Sequence, residues 1–193
     1  MSITYAMDRA LTRARRPHWN RLLIPVIAMA LAAVASDLVY WSGWRVQLTE
    51  SEPMGLYRLH SLQVGEVIQR GTEVEFCPPA SVTPAAFPFY MRGDCPAGGM
   101  AMMKTVAGIP GDRVVVTMAG IWVNGRHLPY SSQLVRSTAY PWVHLPHQVR
   151  SFVLAPDQYW MYGSGAKPPL AAQSFDSRYW GPIQRSQIRR VVD

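Results

Sequence analysis

The chain carries two lysines against 17 arginines, and one of the two, Lys104, stands in an apolar run, AMMKTVAGIPGDRV (101–114). An ammonium on an apolar strand loses hydration, which disfavours the charged form and lowers its pKa. An amine held neutral at physiological pH is a competent general base. The bland alternative is a lysine whose long stem returns the amine to solvent. Ser51 lies in TESEPMGLYR (49–58), a stretch stiffened by Pro53 and made turnable by Gly55. A serine in a turn ordinarily bonds nearby backbone. Beside a neutral amine its hydroxyl becomes a nucleophile, because Ser-Lys pairs are a variant of the serine triad that needs no histidine. A third patch, QSFDSRYWGPI (173–183), alternates Ser174, Asp176 and Arg178. On a strand these three share a face, so Asp176 and Arg178 are expected to pair and Ser174 to turn its hydroxyl toward the amine. As an ordinary surface ion pair they would contribute little.

A β-rich scaffold must position these groups. Hydrophobic residues make up 49% of the chain and charged residues 16%, with 16 prolines and 14 glycines, a balance that favours many turns over long helices. EVIQRGTEVEF (66–76) predicts a strand, a turn at Gly71 and a second strand. MAMMKTVAG (100–108) predicts a buried strand carrying Lys104. RVVVTMAGIWVNGRHL (113–128) predicts a hairpin unit turning at Asn124-Gly125. Two strands are expected around Pro156-Asp157 within 151–164, and a closing strand over 181–192 whose Arg189 and Arg190 form a solvated end. No long helix is expected beyond Trp44. The fold class is mainly β, in antiparallel sheets with loop inserts at about 77–99 and 127–150.

The first 41 residues differ. Residues 1–21 hold Arg9, Arg13, Arg15, Arg16 and Arg21 against Asp8 alone, and the stretch from Leu22 to Ser36 carries no charge. A bilayer-spanning helix needs about 20 apolar residues. This run reaches that length with Asp37 at an interface beside Tyr40, Trp41 and Trp44, where aromatics are enriched. By the positive-inside rule the arginines stay cytoplasmic and the rest of the chain lies outside. The organisation expected is a basic cytoplasmic segment (1–21), a signal anchor (22–41) and an exported domain (42–193) across the inner membrane. Ala33-Val34-Ala35 before Ser36 also suits a signal-peptide cleavage site, and a buried helix of a soluble protein is the third reading. Cys77 and Cys95 flank a Pro- and Phe-rich loop, and in an oxidising compartment they can form one disulfide; two free core thiols are the alternative.

Together the three boxes resemble a definite family. SEPMGLY, KTVAGIPGDRV and SFDSRYWG, in that order behind an N-terminal anchor, are similar to the type I signal peptidases, over most of residues 45–192. The resemblance implies that family's fold of twisted antiparallel sheets, a serine endopeptidase activity and no cofactor. By resemblance Ser51 is the nucleophile, Lys104 the general base and Ser174 the hydroxyl that orients the lysine. Asp176 and Arg178 are the structural pair behind them. Thr49, two residues before the serine, and the Ser51 N–H correspond to the oxyanion donors. Three departures from the housekeeping enzymes stand out. Proline follows the serine by two residues rather than three, Thr105 replaces the arginine that often follows the lysine, and Gly163-Ser164-Gly165-Ala166 replaces Gly-Asp-Asn. The Ser-x-Pro-x-Gly-x-Tyr form, the small size and the single anchor resemble the conjugative-transfer branch. That branch matures a pilus subunit, in some cases cyclising it when a substrate amine captures the acyl-enzyme. The partners so implied are a membrane-inserted pilin precursor, the bilayer and other proteins of the conjugation apparatus.

Other readings are a general signal peptidase for exported proteins, a non-enzymatic pilus-assembly scaffold on the same fold, and a phage-repressor-type autoprotease. The last needs a DNA-binding module, which 21 residues cannot supply. Residues 42–193 hold 14 basic and 10 acidic groups without a dense basic stripe, so nucleic acid is not an expected partner. His144 and His147 in HLPH enclose a proline with no carboxylate nearby, which suits a loop rather than a metal site.

Overall fold

The computed structural model describes residues 19–49, 52–165 and 167–193, with backbone only at 19–22 and at Pro168. Ser51, Arg9, Arg13, Arg15 and Arg16 lie outside the described residues. The chain divides after Ser42 into two compact units.

The first unit contains one helix, α1 (Trp19–Trp41). Its Leu23–Trp41 stretch has a mean hydropathy of 2.0, and its side chains from Leu23 onward are exposed on every face. A helix apolar all round has no polar face to give to water. Nineteen residues rise about 28 Å, close to the thickness of a bilayer's hydrocarbon, so α1 is long and apolar enough to cross a membrane. Ala33 to Ala35 are helical within it.

The second unit is built from two antiparallel sheets. The larger has seven strands in the order β1 (Trp44–Gln47), β2 (Gly55–Ser61), β11 (Ile188–Val192), β3 (Glu73–Phe76), β4 (Met102–Gly108), β9 (Gln158–Tyr162) and β10 (Ile183–Gln184). The smaller has four, in the order β7 (Arg126–His127), β6 (Ile121–Val123), β5 (Arg113–Val116) and β8 (Arg150–Val153). Asn124 and Gly125 both take positive φ, 50° and 80°, as a two-residue hairpin turn between β6 and β7 requires. One core lies on the large sheet around Val74, Phe76, Val106, Met161, Ile183 and Val191. A second fills the small sheet with Val114, Val116, Ile121 and Leu154, and Trp160 of β9 reaches into it.

A third core belongs to the long loops. Val82, Phe87 and Tyr90 from 77–99 pack with Val143 and Leu145 from 127–150 and with Tyr179. Phe175 is wedged here, 4.7 Å from the Phe87 ring and 5.1 Å from Phe89. Cys77 is disulfide-bonded to Cys95 and closes the first loop. Reducing the bond, or replacing both cysteines by serine, is expected to lower stability by about 3 kcal/mol on the chain-entropy view. Thermal melts with and without reductant check this; a fall of several degrees is expected for a unit of this size.

Four expectations are corrected. Residues 66–70 form no strand. Ile68 instead plugs the large-sheet core while Val67 faces solvent, and the following turn is tied in by Gly71 N–H donating to the Val106 carbonyl at 2.8 Å. The closing segment 181–192 is two strands with a 3₁₀ turn (Arg185–Gln187) between them, and β11 runs through the middle of the large sheet, not along its edge. Its arginines are not a solvated end. Arg189 pairs with Asp94 at 2.8 Å, and Arg190, with its side chain 16% exposed, lies 3.7 Å from Glu75. Residues 173–178 form no strand either, as described next.

Candidate active site

Lys104 owes its burial to strand alternation. On β4, Lys104, Val106 and Gly108 face inward, and Lys104 stands opposite Val74 of β3, inside the sheet rather than at its rim. The side chain is 4% exposed, so it does not lift its amine into water. Desolvation pushes the amine below the ordinary lysine range; the negative charges of Glu52 and Asp176 pull it back up, and Arg178 pushes it further down.

Behind the lysine sits the Asp176–Arg178 pair. The two do not alternate on a strand. Residues 168–173 make a 3₁₀ turn, and Asp176 is the N-cap of a one-turn helix, α2 (Ser177–Trp180). Its carboxylate accepts from the Arg178 N–H at 3.1 Å, the usual bond of an aspartate N-cap. The same carboxylate takes Arg178 Nε at 2.8 Å and Nη2 at 2.9 Å, and the Gly163 N–H at 2.9 Å. Arg178 is fully buried. Its remaining donors go to the carbonyls of Tyr130 at 3.1 Å, Ser132 at 3.3 Å and Ala171 at 3.0 Å, so all five guanidinium N–H groups are used. Period-two reasoning therefore found the right residues by the wrong local geometry: the Asx cap, not a shared strand face, brings them together.

Ser174 is 2% exposed, and its hydroxyl has no hydrogen-bond partner among the described residues. The packing of Phe175 in the loop core fixes this segment. A buried hydroxyl left unpaired is costly and marks a place where a polar group is to be met. Thr49, Met102, Lys104 and Ser174 line one cavity of about 310 Å³. Thr49 is exposed, and its hydroxyl accepts from Gln47 Nε2 at 2.8 Å. The expected site residues Thr49, Lys104 and Ser174 thus share one cavity, but the Ser174 hydroxyl, expected to turn toward the amine, makes no hydrogen bond to it; Asp176 and Arg178 act on the amine through their charges, and Cys77 and Cys95 are not in the cavity's lining.

Sequence reasoning passed over Glu52. It is completely buried, and its carboxyl oxygens accept from Thr105 N–H at 3.1 Å, Thr105 Oγ1 at 3.3 Å, Ser164 N–H at 3.3 Å and Ser164 Oγ at 2.5 Å. Burial pushes its pKa up, against the opposing pull of the Ser164 hydrogen bond and the nearby lysine. The signals available were an acid beside the candidate nucleophile, and two departures from the housekeeping pattern, at Thr105 and Ser164, that meet on it.

A sheet-built unit with a dry lysine facing a cavity defines a class. The chain belongs to the signal peptidase family, peptidase S26, whose model matches residues 18–192. It is similar to the plasmid transfer protein TraF of Escherichia coli, 35% identical over 182 residues, which cover 90% of this chain and 96% of the relative. It is likewise similar to the conjugal transfer protein TraF of Agrobacterium tumefaciens (strain 15955), 34% identical over 181 residues, 89% of this chain and 92% of that protein. A solved signal peptidase I from Enterococcus faecalis V583 aligns with 66% of this chain and 98% of its own, at 18% identity and a TM-score of 0.35.

Proposed function

We propose that this chain is a membrane-anchored serine endopeptidase that cleaves the pilin precursor of a plasmid conjugation system, with Ser51 and Lys104 as its catalytic dyad and the catalytic unit in the periplasm. The observation that carries the reading is the buried Lys104, set with the unpaired Ser174 hydroxyl on one cavity. Thr49 lines that cavity and Glu52 bonds Thr105, the residue after the lysine, so the described neighbours of Ser51 both belong to the lysine's surroundings. The family and the conjugal-transfer relatives support the reaction and its setting.

In the reaction, Lys104 takes the Ser51 hydroxyl proton as the oxygen attacks the scissile carbonyl. The Thr49 hydroxyl and Ser51 N–H receive the oxyanion, where one lost donor costs about 10²–10³ in rate. Lys104, now an ammonium stabilised by the charges of Glu52 and Asp176, returns the proton to the leaving amine, and the Ser174 hydroxyl, unpaired on the same cavity, is the group to orient the lysine amine when substrate is bound. The ester that remains is resolved by water, which gives a linear product, or by a pilin amino group, which gives an amide ring and frees the serine hydroxyl.

The test is to produce the full chain in membranes with the pilin precursor of its own conjugation system and to weigh the product. Cleavage that vanishes in Ser51→Ala is expected, with a product one water lighter than the linear chain if the ring closes. Normal cleavage by Ser51→Ala would sink the reading. Cleavage of general exported precursors, with the pilin precursor left intact, would replace it by the housekeeping activity.

A further inference from the structure

A carboxyl directly follows Ser51, and the reaction just described does not use it to handle a proton. Burying a carboxylate is costly unless its lone pairs are met. Glu52 meets that cost with donors 53 and 112 residues away in sequence, from Thr105 at the centre of β4 and Ser164 just past β9. One residue further on, the Tyr57 hydroxyl donates to the Pro53 carbonyl at 2.7 Å. Residues 52 and 53 are therefore gripped from two directions. The grip continues, because Gly163, next to Ser164, donates to Asp176, which holds Arg178.

We propose that Glu52 is a positioning residue of this site: by bonding Thr105 and Ser164 together it fixes the chain next to Ser51 against the strand that carries Lys104. This rests on the Ser51–Lys104 reading above. The carboxyl has a second consequence, through charge. The charged and titratable groups around it are Lys104, Glu73, Tyr57 and Tyr162, with Asp176 and Arg178 beyond the lysine. Glu52 is the first of the influences that hold the lysine up against desolvation. Taking its charge away leaves Asp176 alone to oppose burial and Arg178, so the amine falls further below its usual range. Activity that rises as Lys104 loses its proton then rises at lower pH.

The experiment uses the full chain in phosphatidylethanolamine/phosphatidylglycerol vesicles with the pilin precursor, single-turnover cleavage from pH 6 to 10, and amide hydrogen exchange over residues 49–56. In Glu52→Gln the rate plateau is expected to fall roughly 10–100-fold, as for a catalytic group displaced by a fraction of its reach, with the rising limb displaced to lower pH and exchange in 49–56 accelerated. Glu52→Asp keeps the charge but is one methylene short of the grip, so its limb stays near that of the parent while its rate falls. A residue that served folding alone would reduce the amount of active protein and leave the limb in place. Parent-like rate, limb and exchange in a folded Glu52→Gln overturn the proposal. If Glu52→Gln does not fold, Thr105→Val with Ser164→Ala removes both hydroxyl donors and is expected to slow cleavage roughly tenfold; a parent-like rate there overturns it equally. Absence of cleavage by the parent protein strikes the dyad reading instead, and the exchange comparison still decides whether Glu52 holds this segment.

Discussion

Lys104→Met is expected to abolish precursor cleavage, a loss of about four orders of magnitude or more, the scale seen when a serine hydrolase loses its base, while the protein stays folded. Methionine nearly conserves the volume, so packing in the β4 core survives, and it removes a polar head that burial disfavours. Lys104→Arg should be equally dead for a different reason: a guanidinium keeps its proton in proteins and cannot serve as a base. The pH dependence follows from the lowered amine. Cleavage rises with pH as Lys104 deprotonates, along a limb below the ordinary lysine range. Stability moves with it. Between the lowered folded pKa and the unfolded value of about 10.4, the unfolded chain binds more protons than the folded one, so stability rises with pH across that window. The cost of the buried amine is fully present below the folded pKa and is relieved above the unfolded one. Lys104→Met should lack this rise. Denaturant titrations of both proteins from pH 6 to 10.5, beside cleavage rates, check both halves; a Met variant that still cleaves, or a flat cleavage profile with chemistry limiting, removes the lysine from the reaction.

The candidate site was legible where a single side chain broke a local pattern. Lys104 stood out because it is one of two lysines and breaks an otherwise apolar run, a property of a few consecutive residues. Asn124-Gly125 was legible for the same local reason. What the sequence hid depends on distant partners. Glu52 looks like any turn acid until Thr105 and Ser164 close on it, and Arg190 looks like a solvated strand end until β11 is placed beside Glu75. Residues 66–70 have a strand's composition, but the fold uses Ile68 as a plug. Asp176 and Arg178 pair as expected, yet the aspartate caps the helix after it rather than lying on a strand, as Asp does when its side chain can satisfy the N–H two residues on. Ser51 lies outside the described residues, so its role rests on its neighbours and on the family.

Breaking the Asp176–Arg178 pair from one side is expected to be the most destabilising single change in the site, about 3–5 kcal/mol. Asp176→Ala strands a completely buried guanidinium that keeps its three carbonyl acceptors but loses its counter-charge. It also removes the cap of α2 and orphans the Gly163 N–H. Asp176→Asn should recover only the cap, because one amide oxygen cannot replace two carboxylate oxygens shared among Arg178 Nε, Arg178 Nη2 and Gly163 N–H. Arg178→Met has the opposite defect: it leaves the carboxylate with its two amide donors and takes the guanidinium from the Tyr130, Ser132 and Ala171 carbonyls, of which Ala171 keeps the Ser174 N–H at 3.1 Å. Because each single change is charged for the partner it abandons, the double variant Asp176→Asn with Arg178→Met should cost clearly less than the sum of the two, a coupling of about 1–3 kcal/mol. Melting the four proteins in the same detergent reads this directly, with shifts on the order of 10 °C for the single variants. Additive costs would mean that the pair is two independent anchors. Non-additive costs with cleavage lost in every variant would mean that the stability of this corner and the placement of Lys104 have one cause, since Asp176 also supplies part of the negative field that holds the amine.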